Sequence, residues 1–229
     1  LLELGGHGEG GRAPALRFRP APCQVKWVGA QSATTGVPGL DWMLTDARET
    51  PPGFETHYTE RLLRLPDGYV CFEAPPYAPT PGPLPALAAG HLTFGCFNNL
   101  HKVTRATRRA WGAILRAVPG ARLRLHTHAL GDAPTRGDFL ALCAEDGIPV
   151  ERLDALGPLT HERLLAAYRA VDISLDAFPY SGGLTVCESL WMGVPVVALA
   201  GTHFAGRHAL SHLTSLGMAD WCASDAEGY

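Results

Sequence analysis

With 229 residues the chain is long enough for two domains or one large one, either able to bury a sizeable core. Its 19 Lys and Arg against 22 Asp and Glu give a net charge of -3, which argues against a protein that grips nucleic acid by bulk charge. No apolar run approaches the roughly 20 residues that a membrane-spanning helix needs, and the start, Leu-Leu-Glu-Leu-Gly-Gly-His, lacks the charged segment and cleavage site of a signal peptide. The six cysteines are scattered without CxxC pairing, mostly in apolar segments, as expected of structural thiols in a reducing cytoplasm. No HExxH spacing or other metal ligand set is visible. A first residue other than Met and an abrupt end at Glu227-Gly228-Tyr229 read as a piece of a longer chain.

In chain order, Leu1 to Leu4 ends a strand, and Gly5 to Arg12 is a Gly-rich loop, open to close ligand approach or simply a surface loop. Cys23 to Gly29 alternates as a strand with Cys23, Val25 and Trp27 on one face, and empties into a second small-residue loop, Gln31 to Gly36. Leu40 to Asp46 follows, then Tyr58 to Leu65, readable as a short helix or a strand, with Arg61 and Arg64 solvated. Strands emptying into Gly, Ser and Thr-rich loops are the pattern of the carboxyl edge of an open α/β sheet. Residues Ala74 to Ala86 hold six prolines and no charge and read as a semi-extended interdomain linker.

Beyond the linker, His91 to Phe97 is a strand. Thr104 caps an amphipathic helix, Arg105 to Val118, with Trp111, Ile114, Leu115 and Val118 as its stripe. Ala121 to Thr127 is the next strand, Phe139 to Glu145 a helix ended by Gly147, and Leu153 to Leu156 a short strand. Thr160 caps Glu162 to Ala170, whose Leu164, Leu165 and Tyr168 face inward. After a strand from Asp172 to Phe178, a turn and a helix from Leu184 to Trp191, Val194 to Leu199 is a buried strand, and Arg207 to Leu216 is a helix ended by Gly217. The alternation predicts a doubly wound parallel sheet from residue 91 onward, preceded by the end of a similar unit.

The stretch VDISLDAFPYSGGLTVCESLWMGVPVVALAG carries chemistry: strand, Gly-rich turn, helix, strand. The helix's first N–H groups lack intrahelical partners and its dipole adds partial positive charge, so glycines that admit a ligand make a phosphate cradle. Thr185 adds a hydroxyl, and Glu188, one turn on, reaches a ribose diol. The other reading, an ordinary βαβ corner, stays open, because the turn matches neither the Walker nor the dinucleotide pattern.

Together, RPAPCQVKWVGAQSATTG, GLDWMLTD, CFNNLHKVT, LDAFPYSGGLTVCESLWMGVPVVALAG and Arg207 in HFAGRHALSHL resemble the catalytic region of the O-GlcNAc transferase and SPINDLY family, over nearly the whole chain. The resemblance implies an α/β GT-B glycosyltransferase with two Rossmann-like lobes: residues 1–73 ending the first, 74–90 linking, and 91–229 forming the second, which holds the sugar nucleotide. It implies an inverting, metal-independent transfer of GlcNAc from UDP-GlcNAc to Ser or Thr hydroxyls of a protein or peptide acceptor, releasing UDP. Tetratricopeptide repeats upstream in the full-length protein follow from the same resemblance, while the expected cytoplasmic location, with no nucleic-acid or membrane partner, rests on the cysteines, the net charge and the apolar runs described above.

By position, the resemblance puts Lys102 against the diphosphate, suited to charge growing on a leaving phosphate. Asn99 stands beside the nucleotide while Asn98 shapes the loop; Gly183, Leu184 and Thr185 form the phosphate turn, and Glu188 takes the ribose hydroxyls. Leu159 and His161 fall in the base-holding loop, with His161 equally readable as a surface residue at a helix start. His7, Thr34 and Thr35 are candidates for the acceptor or sugar side, and the family's proposed bases lie upstream of Leu1. Two departures stand out: Leu164 replaces a histidine common in relatives, and Ser181-Gly182-Gly183-Leu184 replaces a threonine-rich turn. They leave room for a nucleotide-binding homologue with little activity, and the shared motifs leave room for a SPINDLY-like protein O-fucosyltransferase using GDP-fucose. A bilobal nucleotide-sugar epimerase does not share them.

Overall fold

A computed structural model of the chain describes residues 1–8, 10–29 and 33–229, so Glu9 and the Ala30, Gln31 and Ser32 part of the second loop lie outside the described residues. The chain divides into two units, Leu1–Cys71 with Gly201–Ala219, and Phe72–Ala200 with Asp220–Tyr229.

The first unit is a parallel sheet in the order β1-β2-β3-β4, made of β1 (Leu2–Glu3), β2 (Val25–Lys26), β3 (Trp42–Asp46) and β4 (Arg61–Leu65). The ambiguous segment before Pro66 is thus a strand, and its Arg61 guanidinium lies over the Trp42 ring at 3.9 Å, where cation and π-face attract. Arg64 pairs with Glu55 at 2.6 Å rather than standing solvated. The alternation in β2 is real, yet its buried side is Gln24 and Lys26, not the face of Cys23, Val25 and Trp27. Burial of an ammonium is tolerable only with partners. Lys26 has the Glu3 carboxylate at 3.3 Å and the carbonyls of Trp27, Val28 and Gly29.

The helix read from Arg207 to Leu216 forms between His208 and Ser215, but it packs with this first unit and not with the second. The expected boundary, which gave all of 91–229 to the second lobe, is corrected accordingly. The cause is buried acid at the end of β3: Asp46 accepts from Ser211 Oγ at 2.6 Å, and Glu49 meets His208 Nδ1 at 2.9 Å. Arg207 fastens the helix start through Gly201 O at 2.9 Å and Arg48 O.

In the second unit, β5 (Thr93–Cys96), β6 (Arg122–His126), β7 (Leu153–Leu156), β8 (Ile173–Leu175), β9 (Val196–Leu199) and β10 (Cys222–Ala223) are all parallel, in the order β7-β6-β5-β8-β9-β10. Numbered within the unit, that is 3-2-1-4-5-6, the Rossmann order, with its switch point between β5 and β8. Its helices are α1 (Ala86–Ala89), α2 (Arg105–Ala117), α3 (Ala133–Glu145), α4 (His161–Ala167) and α5 (Leu184–Trp191). Thr104 caps α2 through Thr107 N at 3.3 Å, and Trp111 and Leu115 fill one core with Phe94, Leu123, Leu125 and Phe139. Phe97, Leu165, Tyr168, Val171 and Met192 form a separate cluster. Phe94 and Phe97, an odd number of residues apart, point to opposite faces of the sheet, so both faces are covered.

Two differences from expectation bear on the site. Helix α3 starts six residues earlier than Phe139, because Asp132 caps it through Thr135 N at 3.0 Å and Pro134 sits in its first turn, where a missing N–H costs nothing. The Pro-rich segment, expected as a linker over 74–90, belongs to the second unit from Phe72 onward. Arg169 Nη2 donates to Thr80 O at 2.6 Å, Asp172 accepts from Ala86 N at 2.9 Å, and Ala78 packs against the Tyr168 cluster.

Candidate functional site

The carboxyl ends of β5 and β8 meet at the switch point and carry the segments Phe97–Lys102 and Asp176–Gly183. Their meeting is organised by Asp176, which is 3% exposed. One carboxylate oxygen accepts from Gly182 N at 2.7 Å and Asn98 Nδ2 at 3.0 Å, and the other from Ser181 Oγ at 2.5 Å. Burial pushes its pKa above the ordinary carboxylate value, against the pull of Ser181, Gly182, Asn98 and the Lys102 charge. The same loop is held from below, where Phe178 O accepts from Thr104 Oγ1 at 2.9 Å and Thr107 Oγ1 at 2.6 Å, and Tyr229 OH donates to Asp176 O at 2.8 Å.

Lys102 ends a single 3-10 turn, Leu100–Lys102, whose first residue is preceded by Asn99; the Asn99 side chain caps it by accepting from His101 N at 3.1 Å. Lys102 Nζ donates to Ser181 O at 2.7 Å and lies 4.0 Å from the centre of the Tyr180 ring. Burial lowers its pKa while Asp176 and Cys96 hold it up. An ammonium has three donors, so two remain for an anion. Asn98 shapes the loop and Asn99 stands at its surface. Asn98 is the buried one, linking Asp176 to Thr185 Oγ1, which donates to Asn98 Oδ1 at 2.8 Å, whereas Asn99 is exposed.

Helix α5 opens at Gly183, which as N-cap offers no side chain, so its first amides are unclaimed within the helix. Gly182 is fixed by crowding: a Cβ there would stand 2.5 Å from Thr185 Oγ1 and 2.8 Å from Asn98 Oδ1, while one on Gly183 would meet open space. Leu184 is 61% exposed, so only its backbone can serve the turn. The apolar face of Leu184, Cys187, Leu190 and Trp191 is the more exposed side of α5, and Val186, Glu188 and Ser189 are buried. Ser189 Oγ pairs with Ser174 Oγ at 2.7 Å, and the Glu188 side chain, 3% exposed, meets His161 Nε2 at 2.7 Å. His161 Nδ1 is in turn 2.7 Å from Tyr77 OH.

Lys102, Gly183, Thr185, Glu188 and His161 therefore gather at one end of the second sheet, with Leu184 contributing backbone. Leu159 is an exposed side chain in the loop before α4. Asp176, Ser181 and Tyr77 were missed by sequence reasoning. The only signal for Asp176 was an acid closing an apolar strand. In the first unit, His7 Nε2 lies 2.8 Å from Thr35 O, and Glu60 accepts from Thr34 Oγ1 at 2.7 Å and from both Thr35 N, at 2.9 Å, and its hydroxyl. The three residues are thus together, with both threonine hydroxyls engaged. Among the described residues no three His, Cys, Asp or Glu side chains are grouped as a metal would need, and no helix is long and apolar enough to cross a membrane.

The family described as Glycosyl transferase family 41 matches residues 1–73 and 84–229. A probable UDP-N-acetylglucosamine–peptide N-acetylglucosaminyltransferase SPINDLY of Petunia hybrida is 39% identical over 231 residues, spanning 100% of this chain and 25% of the relative. The protein of the same description in Arabidopsis thaliana is 40% identical over 232 residues, with the same coverage. A solved structure of a Thermobaculum terrenum O-GlcNAc transferase mutant is 39% identical with a TM-score of 0.94, covering 100% of this chain and 43% of that one. The chain thus spans about a quarter of the length of the curated relatives it matches.

Proposed function

The chain belongs to glycosyltransferase family 41, with the α/β fold of GT-B enzymes, and on that premise we propose that the switch-point site binds a nucleoside-diphosphate sugar for transfer to a protein hydroxyl. The donor in this reading is UDP-GlcNAc, the sugar nucleotide in the relatives' own descriptions, and the acceptor is a Ser or Thr side chain. The acceptor oxygen attacks the anomeric carbon from the face opposite the diphosphate, its proton leaving by relay to solvent. The sugar–phosphate bond breaks with its electron pair on the phosphate oxygen, and the configuration inverts.

Charge growing on that oxygen must be neutralised, and preorganised donors do so at no reorganisation cost. Lys102 supplies the cation, and the open amides of Gly183, Leu184 and Thr185 supply the cradle, with the helix dipole behind them. Glu188 accepts from the ribose. The observation that carries the reading is Lys102 Nζ, anchored 2.7 Å from Ser181 O beside the phosphate turn. No metal is required, because the cation and the amides already meet the leaving charge.

Calorimetry with UDP and GDP on the wild type and on Lys102→Ala tests this. UDP is expected to bind more tightly than GDP, and the variant to lose about 10- to 100-fold, the worth of a charge-assisted hydrogen bond of roughly 1.5–3 kcal/mol. Failure of both nucleotides to bind the wild type refutes the site, and tighter GDP binding moves the donor to a guanosine sugar such as GDP-fucose. Unchanged binding by Lys102→Ala refutes the diphosphate role. Binding of UDP without turnover of UDP-GlcNAc by the full-length protein refutes the transfer and leaves a nucleotide-binding homologue.

A further inference from the structure

We propose that Tyr77 is a positioning residue of the nucleotide site, orienting His161 so that the His161–Glu188 pair presents one carboxylate oxygen to the ribose cis-diol of a bound nucleoside diphosphate. The inference rests on the reading of the site given above. Tyr77 comes from the Pro-rich segment, whose composition reads as a spacer, yet this segment is fastened directly after Tyr77 and turned back on itself across it. Ala78 is packed into the Tyr168 cluster, Ala78 N donates to Pro75 O at 2.8 Å, and Arg169 grips Thr80 O through Nε at 2.9 Å and Nη2 at 2.6 Å. Gly193, just past the end of α5, faces Pro81 so closely that an added Cβ would stand 3.3 Å from it. A side chain on so fixed a backbone has a defined reach.

That reach ends on His161. The phenol oxygen is 2.7 Å from Nδ1 and the rings meet edge to face at 84°, with 5.7 Å between centres. In a neutral imidazole one ring nitrogen donates and the other accepts, and the partner of one fixes the role of the other. A phenol donating to Nδ1 leaves Nε2–H to donate to Glu188 Oε1, 2.7 Å away. A carboxylate accepts and cannot donate, so this tautomer satisfies all three groups. Glu188 Oε2 carries no other hydrogen bond among the described residues, which leaves it for a ribose hydroxyl. Without the phenol, Glu188 still holds Nε2–H, but Nδ1 loses its partner and the ring loses one of the two contacts that fix its angle to the carboxylate. The effect is specific to the sugar of the nucleotide, because the phosphate turn and Lys102 do not touch Tyr77.

The experiment compares UDP, its 2′,3′-dideoxyribose analogue and inorganic pyrophosphate by calorimetry on wild type and Tyr77→Phe, with nitrogen NMR of the His161 ring. Tyr77 is 50% exposed, so the variant keeps its fold. Tyr77→Phe is expected to bind UDP about 3- to 10-fold more weakly, the worth of one hydrogen bond, and the other two ligands unchanged. The His161 Nδ1 signal should lose the shift that a phenol donor gives it, with Nε2 still protonated. Unchanged UDP affinity or an unchanged Nδ1 signal overturns the proposal, as does an equal loss for UDP and pyrophosphate, which would mark general damage to the site. Binding of pyrophosphate but not UDP by the wild type overturns the ribose role and keeps the phosphate turn. If neither binds, the nucleotide site itself fails and this inference falls with it.

Discussion

Replacing Asn98 by leucine removes the link between the two strand ends at the switch point while keeping a similarly branched side chain. Two hydrogen bonds disappear: Nδ2 to Asp176 at 3.0 Å and Thr185 Oγ1 to Oδ1 at 2.8 Å. The first involves a buried carboxyl and is worth about 1.5–3 kcal/mol, the second about 0.5–1.5 kcal/mol. The expected loss of about 2–4 kcal/mol is a large share of a domain stability of roughly 5–15 kcal/mol. Urea unfolding of Asn98→Leu, Asp176→Leu and the double variant separates the pair from its surroundings. A leucine at Asp176 also takes away the carboxylate that Ser181 Oγ and Gly182 N donate to, so that single variant should be the worse of the two. The coupling of the cycle should be about 1.5–3 kcal/mol, as for residues in one polar network. A coupling below about 0.5 kcal/mol would refute the view that Asp176 and Asn98 hold the loops as a unit.

Three further outcomes follow from neighbouring contacts. Burial, with His208 adding to it, pulls the His212 pKa from 6.5 to about 4, and its Nε2 is buried without a hydrogen-bond partner. A folded pKa below the unfolded one gives stability that is full above pH 6.5 and lost as pH falls toward 4. Wild type should therefore lose about 3 kcal/mol more than His212→Leu between pH 7 and pH 4 in urea unfolding, and equal losses would contradict the neutral ring. Gly182→Ala should abolish UDP binding because its Cβ would strike Thr185 and Asn98, while Gly183→Ala, with open space around the Cβ, should unfold within about 1 kcal/mol of wild type and still weaken UDP. A Gly182→Ala protein that binds UDP normally would show the turn is not so tightly packed. Tyr229→Phe removes the donor to Asp176 O and the acceptor of Trp111 Nε1, 3.1 Å away, so the unfolding free energy should drop by about 1–3 kcal/mol, lowering the midpoint, with a shift in Trp111 emission. An unmoved midpoint would rule out that anchor.

Periodic elements were legible because one face decides them. The stripe of Trp111 and Leu115, its Thr104 cap and the alternation of Leu123 and Leu125 with arginines all appear where the sequence puts them. The first turns of α3 were hidden by Pro134 and Gly137, which read as breakers until the Asp132 cap is recognised. Helix α5 misled differently: its apolar side is turned outward, and Glu188 and Ser189 are turned in, because polar partners at the strand ends outweigh the hydrophobic pattern there. The family motifs flagged Lys102 and Glu188, but Asp176 gains its meaning only from a partner 78 residues earlier in sequence, which no local pattern reveals. Tyr77 was masked by its prolines. The role of Asn98 depended on which of two adjacent asparagines the strand end turns inward.

The chain passes from the first unit to the second after Cys71, returns at Gly201 and leaves again after Ala219. Strand β10, an edge of the second sheet, and Tyr229, the anchor beneath Asp176, both lie beyond that return. No single break in the gene therefore yields either unit whole. A recombination event near residue 73 would trade the first unit of one relative for that of another while the His208–Ser215 helix stays behind. The incoming Asp46 and Glu49 equivalents would then be matched against the old helix's Ser211 and His208. Inheritance in one block is the consequence: the buried acids at the end of β3 and a helix more than 150 residues downstream must change together.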